Sequence, residues 1–178
     1  AARAKLVDVR RAQVHNTGKP ARGGTIYLTT ADERGMMVSF IQSNYMGFGS
    51  GVVEPTFGIS LQNRGAGFSL DAKHPNVVAP GKKPFHTIIP GFLTQGGAPV
   101  MSFGVMGGHM QPQAHVQTLV RMLCHRQNPQ AACDAPRWRV MHGLDIEIES
   151  AMGQSVADEL AARGHRITQS KDTYMDFG

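Results

Sequence analysis

The chain has 178 residues, 41% of them hydrophobic and 17% charged, with a formal net charge of +5. That is enough for one domain with a sizeable core, and no apolar stretch reaches the roughly 20 residues a membrane helix needs. Lysine and arginine are spread thinly, with small groups only at Arg10-Arg11 and Lys82-Lys83, so neither a nucleic-acid partner nor a membrane is expected.

Residues 1–24 are polar and basic and end in Asn16-Thr17-Gly18-Lys19-Pro20-Ala21-Arg22-Gly23-Gly24, a linker by composition. They contain no apolar leader. Because the chain does not begin with Met, this says little about compartment, and the cytoplasm is favoured over the periplasm or export. Thr25 to Thr30 is β-branched and aromatic and reads as a strand. Asp32-Glu33-Arg34-Gly35 reads as a turn, and Met36 to Gln42 as the second strand of a hairpin. Gly47-Phe48-Gly49-Ser50-Gly51 is a glycine-rich loop, and Phe57 to Gln62 a third strand. Residues 71–84 hold Pro75, Pro80 and Pro84, with Pro90 just beyond, which predicts a long ordered loop rather than a helix.

Pro99 to Val105 is strand-like and runs into Met106-Gly107-Gly108. Pro112 suits the first turn of a helix, and Val116, Leu119, Val120 and Leu123 supply its apolar stripe. A short helix follows from Asn128-Pro129 with Asn128 as cap. Leu144 to Ile148 alternates apolar and acidic residues as a half-buried strand does, and Ser155 to Arg163 is a helix closed by Gly164. Strands come first and helices after, which points to α+β layers rather than a βαβ series. Cys124 and Cys133 fit no disulfide framework or zinc spacing and read as reduced, mostly buried thiols. Trp138 reads as core or interface packing, and His74, His142 and His165 as surface or loop residues.

Two segments can carry chemistry. Gly23-Gly24-Thr25 joins a linker to a strand. Cleavage of the Gly24–Thr25 bond would leave the Thr25 hydroxyl beside its own α-amine, whose ordinary pKa near 8 suits a general base. Taken alone, the same residues are a plain strand start. Met106-Gly107-Gly108-His109 follows a strand and precedes a helix, where consecutive glycines can aim backbone N–H groups at an oxyanion. The bland alternative there is a tight turn.

At this point the sequence resembles the γ-glutamyltransferase (γ-glutamyltranspeptidase) family. Thr25-Ile26-Tyr27-Leu28-Thr29-Thr30-Ala31-Asp32 is similar to the start of its small subunit, and Gly47-Phe48-Gly49-Ser50-Gly51-Val52-Val53 to its TFGTGIV-type segment. Gly58-Ile59-Ser60-Leu61-Gln62-Asn63 resembles its GILLNN strand, and Pro80-Gly81-Lys82-Lys83-Pro84 its PNKRP-type loop. Gly104-Val105-Met106-Gly107-Gly108 resembles GSPGG, and Ala135-Pro136-Arg137 a later APR. These similarities run in order across residues 25–170.

The resemblance implies the αββα sandwich of N-terminal-nucleophile hydrolases and a precursor that cleaves itself before Thr25. Residues 1–24 would be the end of the large-subunit segment. Residues 25–178 would be the small-subunit segment, cut short at its C-terminus. Carried over by position, Thr25 is the nucleophile, Ser43 the hydroxyl that hydrogen-bonds it, and Gly107 and Gly108 the oxyanion hole. The reaction implied is acyl transfer from an amide or γ-glutamyl-like small molecule through an acyl-enzyme, with no cofactor or metal. The implied partner is the missing large-subunit segment, and a homodimer is left open.

The match also departs from the family. Its acidic pair before Phe-Ser is replaced by Arg64-Gly65-Ala66-Gly67, Tyr45 stands for an asparagine, and His86 and Thr87 stand for paired serines. This pattern looks more like the divergent, cephalosporin-acylase-type branch. Tyr45, Arg64, His86 and Thr87 are then the candidate substrate-binding residues, with Arg64 offered to an acidic acyl chain such as glutaryl. The bland alternatives are a solvated arginine and loop packing for His86 and Thr87. Two rival readings remain: a non-catalytic member serving as a binding or assembly module, and a metal enzyme using His109, His115 and His125. The ten-residue gap between the last two suits no helical ligand pair.

Overall fold

The computed structural model describes residues 24–170. The linker reading of residues 1–24 thus falls, apart from Gly24, outside the described residues, as do residues 171–178.

Strands β1 (Thr25–Ala31) and β2 (Met37–Ser43) form the expected hairpin, in antiparallel register from Thr25 opposite Ser43 to Ala31 opposite Met37. Asp32 builds the turn. Its carboxylate accepts from the backbone N–H groups of Arg34 and Met36 at 3.0 and 2.9 Å. The two-residue period of a strand places Thr25, Tyr27, Ser39, Ile41 and Ser43 on the half-buried face, and Ile26, Leu28, Val38 and Phe40 on the exposed one.

Only the middle of the third predicted strand pairs. β3 (Val53–Glu54) and β4 (Ile59–Ser60) make a two-residue ladder, and the flanking residues run as loop. The proline-bearing stretch 71–84 is irregular, as expected. Strands β5 (Gly91–Gln95) and β6 (Ala98–Phe103) form a second hairpin about Gly96-Gly97, both at positive φ, which is the geometry a two-residue hairpin turn demands.

The two hairpins pack through a glycine. The Tyr27 ring lies against Gly104 so closely that a Cβ there would sit 2.3 Å from a ring carbon. The Tyr27 hydroxyl is 2.8 Å from Ser39 Oγ, which donates to the Gly91 carbonyl at 2.8 Å. The end of β6 is thereby pinned beside β1.

Helix α1 (Gln111–Leu119) begins at a short 3-10 turn, with Pro112 in its first turn as predicted, and continues through a π-helical turn, Val120–Cys124. Its buried face is not the apolar stripe read from the sequence. Val116, Val120 and Leu123 are exposed, whereas Gln111, Ala114, His115 and Gln117 are buried.

The physical reason is the edge of the next sheet. In β7 (Trp138–His142), Trp138 donates its N–H to Gln117 Oε1 at 3.2 Å and accepts from Gln117 Nε2 at 2.8 Å. Val140 makes the same pair of bonds with Gln113, at 2.7 and 3.4 Å. Glutamines four apart share a helix face, so two side-chain amides satisfy backbone groups that would otherwise be orphaned. His115 lies edge-on to Phe103 at 5.1 Å, and burial lowers its pKa.

Helix α2 (Pro129–Asp134) is capped as predicted, Asn128 Oδ1 accepting from Ala131 N–H at 2.8 Å. β7 pairs antiparallel with β8 (Asp145–Glu149), and β8 pairs parallel with β9 (Arg166–Ser170) across helix α3 (Gln154–Ala162). This single βαβ unit, which a parallel pair requires, sits within the expected α+β layers and does not make a βαβ series. Ile146, Ile148 and Ala157 form its core, with Trp138, Met152, Leu160 and Ile167 packed around them. The cysteines correct another expectation: Cys124 and Cys133 are both exposed and free. Cys124 ends the outward-facing turn after α1, and α2 buries only Ala132.

Candidate active site

Thr25 opens β1 and Ser43 closes β2, and the hairpin register sets them opposite one another. Thr25 Oγ1 donates to Ser43 Oγ at 2.9 Å. The same oxygen accepts from the Tyr45 N–H, also at 2.9 Å. A hydroxyl has two lone pairs, so both are filled and the Thr25 side chain is held to one direction.

Tyr45 pays for its position with a φ of 76°, an uncommon conformation for a residue with a side chain. The Asn63 carboxamide steadies the neighbouring backbone, accepting from Met46 N–H at 3.0 Å and donating to the Met46 carbonyl at 3.4 Å. The 3-10 turn Arg64–Gly67 starts there, which delivers Arg64 to the hairpin's end.

Arg64 is 6% exposed and Thr87 3%, so the solvated-arginine alternative is overturned. Arg64 Nε donates to Thr87 Oγ1 at 3.0 Å, and a terminal nitrogen, Nη2, donates to the Ser43 carbonyl at 3.4 Å. The guanidinium carbon lies 5.6 Å from the centre of the Tyr45 ring, within cation–π range. Thr25, Ser43, Tyr45, Arg64 and Thr87 thus form one connected cluster. His86 is exposed, and no described hydrogen bond joins it to them.

The Gly107-Gly108 turn reaches the cluster through the next residue. Tyr45 Oη and His109 Nε2 are 3.5 Å apart, and the His109 ring stacks on Phe85 at 5.9 Å. Gly107 and Gly108 have φ values of 113° and 58°, which glycine takes without strain. Gly24 rests on the other side, where a Cβ would meet the Gly47 carbonyl oxygen at 3.2 Å.

His109, His115 and His125 do not converge. Among the described residues no group of three or more His, Cys, Asp or Glu is placed to share a metal ion. On sequence grounds His109 belongs to the Gly107-Gly108 turn and to the metal-ligand alternative, and Asn63 and Phe85 carry no role. The available signal was His109's position directly after the paired glycines.

The gamma-glutamyltranspeptidase family model matches residues 1–177, and the chain belongs to that family. It is 45% identical over 169 residues to the oxamate amidohydrolase proenzyme of Klebsiella pneumoniae, covering 92% of this chain and 32% of that protein. It is 44% identical over 120 residues to the glutathione hydrolase-like YwrD proenzyme of Bacillus subtilis, covering 67% and 23%. The chain thus spans about a third or less of the length of these relatives.

Among solved structures, cephalosporin acylase from Bacillus halodurans is 55% identical, with a TM-score of 0.76 over 82% of this chain and 27% of that one. Gamma-glutamyltranspeptidase from Pseudomonas nitroreducens, at 23% identity, shares the fold with a TM-score of 0.70 over 81% of this chain and 82% of that one. The fold is the α+β sandwich of the N-terminal-nucleophile hydrolases that the resemblance implied.

Proposed function

We propose that the full-length protein is an amidohydrolase or acyltransferase whose nucleophile is Thr25, released by cleavage of the Gly24–Thr25 bond. The observation that carries this reading is the 2.9 Å hydrogen bond from Thr25 to Ser43 at the first residue of β1, with Gly24 fitted closely against Gly47 just before it. The matched relatives, named as proenzymes of an oxamate amidohydrolase and a glutathione hydrolase-like protein, support it.

In this scheme Thr25 Oγ1 attacks the Gly24 carbonyl carbon. The peptide C–N bond breaks, the Thr25 nitrogen takes the proton, and water hydrolyses the resulting ester. The new α-amine then acts as general base for the same hydroxyl. It accepts the hydroxyl proton as Oγ1 attacks a substrate amide, and passes it to the departing amine as that C–N bond breaks. Backbone N–H groups at Gly107 and Gly108 stabilise the oxyanion. Water or an amine finally takes the acyl group. The rest of the precursor is the partner that completes the pocket.

Intact mass and N-terminal sequencing of the full-length protein test this. The expected result is a fragment beginning at Thr25, abolished by Thr25→Ala. A wild-type precursor that stays uncut under all conditions sinks the proposal and favours a non-catalytic binding module, in keeping with the lost acidic pair at Arg64-Gly65-Ala66-Gly67.

A further inference from the structure

Gln111 is fully buried, and it is bonded to two segments that line the site. Its backbone N–H donates to the Gly108 carbonyl, inside the turn assigned above to the oxyanion. Its side-chain Oε1 accepts from the Ile89 N–H at 2.8 Å. Ile89 lies two residues beyond Thr87, whose hydroxyl takes Arg64 Nε. It lies four beyond Phe85, whose ring stacks on His109 at 5.9 Å. Residues 85–89 therefore meet the turn twice, through exposed rings at one end and through the buried Gln111 carboxamide at the other. Shielding from water strengthens the second of these links.

The turn has no side chains of its own with which to hold a shape at Gly107 and Gly108. The Met110 N–H holds the Gly107 carbonyl at 3.0 Å, and Met110 packs with Ala114 and Val105. In a trans peptide the N–H points opposite to the C=O. Fixing the Gly107 carbonyl toward the helix therefore turns the Gly108 N–H away from it, and the Gln111 N–H on the Gly108 carbonyl does the same for the next peptide. Such donors are effective on an oxyanion because they are in place beforehand. Gln111 Nε2 is buried and has no partner among the described residues. A half-used buried amide is costly, and an apolar side chain of equal size would fill the place without that cost. What the glutamine contributes is the acceptor for Ile89.

We propose that Gln111 is a positioning residue for acyl transfer, holding the Gly107-Gly108 turn and residues 85–89 in one geometry so that the oxyanion donors are aligned before substrate arrives. This rests on the Thr25 reading for its chemistry. Gln111 touches no reacting atom and acts through Gly108 and Ile89. Donor alignment is felt in the transition state more than in the bound substrate, so losing it lowers kcat more than it raises KM.

The test uses the full-length protein after incubation, with turnover counted per Thr25 N-terminus so that unfolded or uncut protein drops out. The probe is whichever of oxamate, glutathione and glutaryl-p-nitroanilide the wild type hydrolyses fastest. Gln111→Met, similar in size but without the acceptor, should lower kcat about 30-fold while KM moves less than about three-fold. Gln111→Glu, which keeps an oxygen for the Ile89 N–H, should recover most of that loss. A fall in kcat of less than about five-fold in Gln111→Met, a KM effect as large as the kcat effect, or a Gln111→Glu no better than Gln111→Met overturns the proposal. If Gln111→Met gives too little folded protein, Ile89 is replaced by its α-hydroxy acid analogue, which removes only the N–H, and the same limits on kcat and KM apply.

If the wild type forms no Thr25 N-terminus or hydrolyses none of the three probes, it is the catalytic reading that has failed. The coupling is then judged alone, by hydrogen exchange of the same full-length protein. Gln111→Met should lose protection at the Ile89 and Met110 amides together, and Gln111→Glu should keep both. Unchanged protection at either amide in Gln111→Met overturns the coupling. The same measurement decides where a folded Gln111→Met stays uncut.

Discussion

Gly104→Ala asks whether the contact between the two hairpins is as tight as the geometry requires. The new Cβ would fall 2.3, 2.5 and 2.7 Å from three atoms of the Tyr27 ring, about 1 Å inside ordinary carbon–carbon contact. Gly104 has an ordinary backbone conformation, so the effect is steric alone. The ring cannot simply rotate aside, because its hydroxyl is held 2.8 Å from Ser39 Oγ, itself bonded to the Gly91 carbonyl. Overpacking of this kind costs about 1–3 kcal/mol, and losing the Tyr27–Ser39 bond adds about 1 kcal/mol.

The expected destabilisation is therefore about 2–4 kcal/mol, read as a lowered urea midpoint of the full-length protein by circular dichroism. The proposed release of Thr25 should slow as well, because Gly104 leads directly into the Gly107-Gly108 turn. The decisive comparison repeats the substitution in a Tyr27→Ala background, where the space is empty. There Gly104→Ala should cost less than about 0.5 kcal/mol, since removing a glycine also stiffens the unfolded chain. Equal costs in the two backgrounds would refute the steric account.

His115 should give stability a pH dependence. Burial lowers its pKa in the folded state, while the unfolded chain keeps a value near 6.5. As pH falls below about 6.5 the unfolded chain binds a proton that the folded chain does not, so stability is lost, by at most about 1.4 kcal/mol per pH unit. The stability of wild type relative to His115→Gln should fall between pH 7.5 and 5.5, and a difference that is constant or grows on acidification refutes the assignment. Gln117→Ala should strip the Trp138 N–H and carbonyl of their partners, at a cost of about 1–3 kcal/mol. Hydrogen exchange at the Trp138 amide should speed up, and unchanged protection there would exclude the glutamine contact.

Local chemistry was legible where it acts between near neighbours. The Thr25–Thr30 and Met36–Gln42 patterns marked the hairpin, and Asn128-Pro129 marked a capped helix, because strand alternation and capping need only a few residues. Helix α1 was misread for the opposite reason. Its inward residues are Gln111, His115 and Gln117, whose value lies in what they meet across the fold, and a search for apolar periodicity passes over them. Ile59–Ser60 kept only two paired residues of a longer strand-like run, since a ladder depends on its partner as well as on its own composition. Arg64 was the hardest to read. A polar run, Gln62-Asn63-Arg64-Gly65, gives no hint of a guanidinium 6% exposed, and only the meeting of residues 43, 64 and 87 buries it.

The glutamine contacts bear on assembly as well as on folding. A strand at the margin of a sheet is a template on which another chain can add, and proteins guard such margins with charges, prolines or bulges. Here the outer edge of β7 is met by Gln113 and Gln117, whose amides offer the donor and acceptor pair a further strand would bring. A side chain ends the ladder where a backbone would extend it. The helix thus acts as a terminator, and a newly made copy of the chain finds the rungs at Trp138 and Val140 already taken.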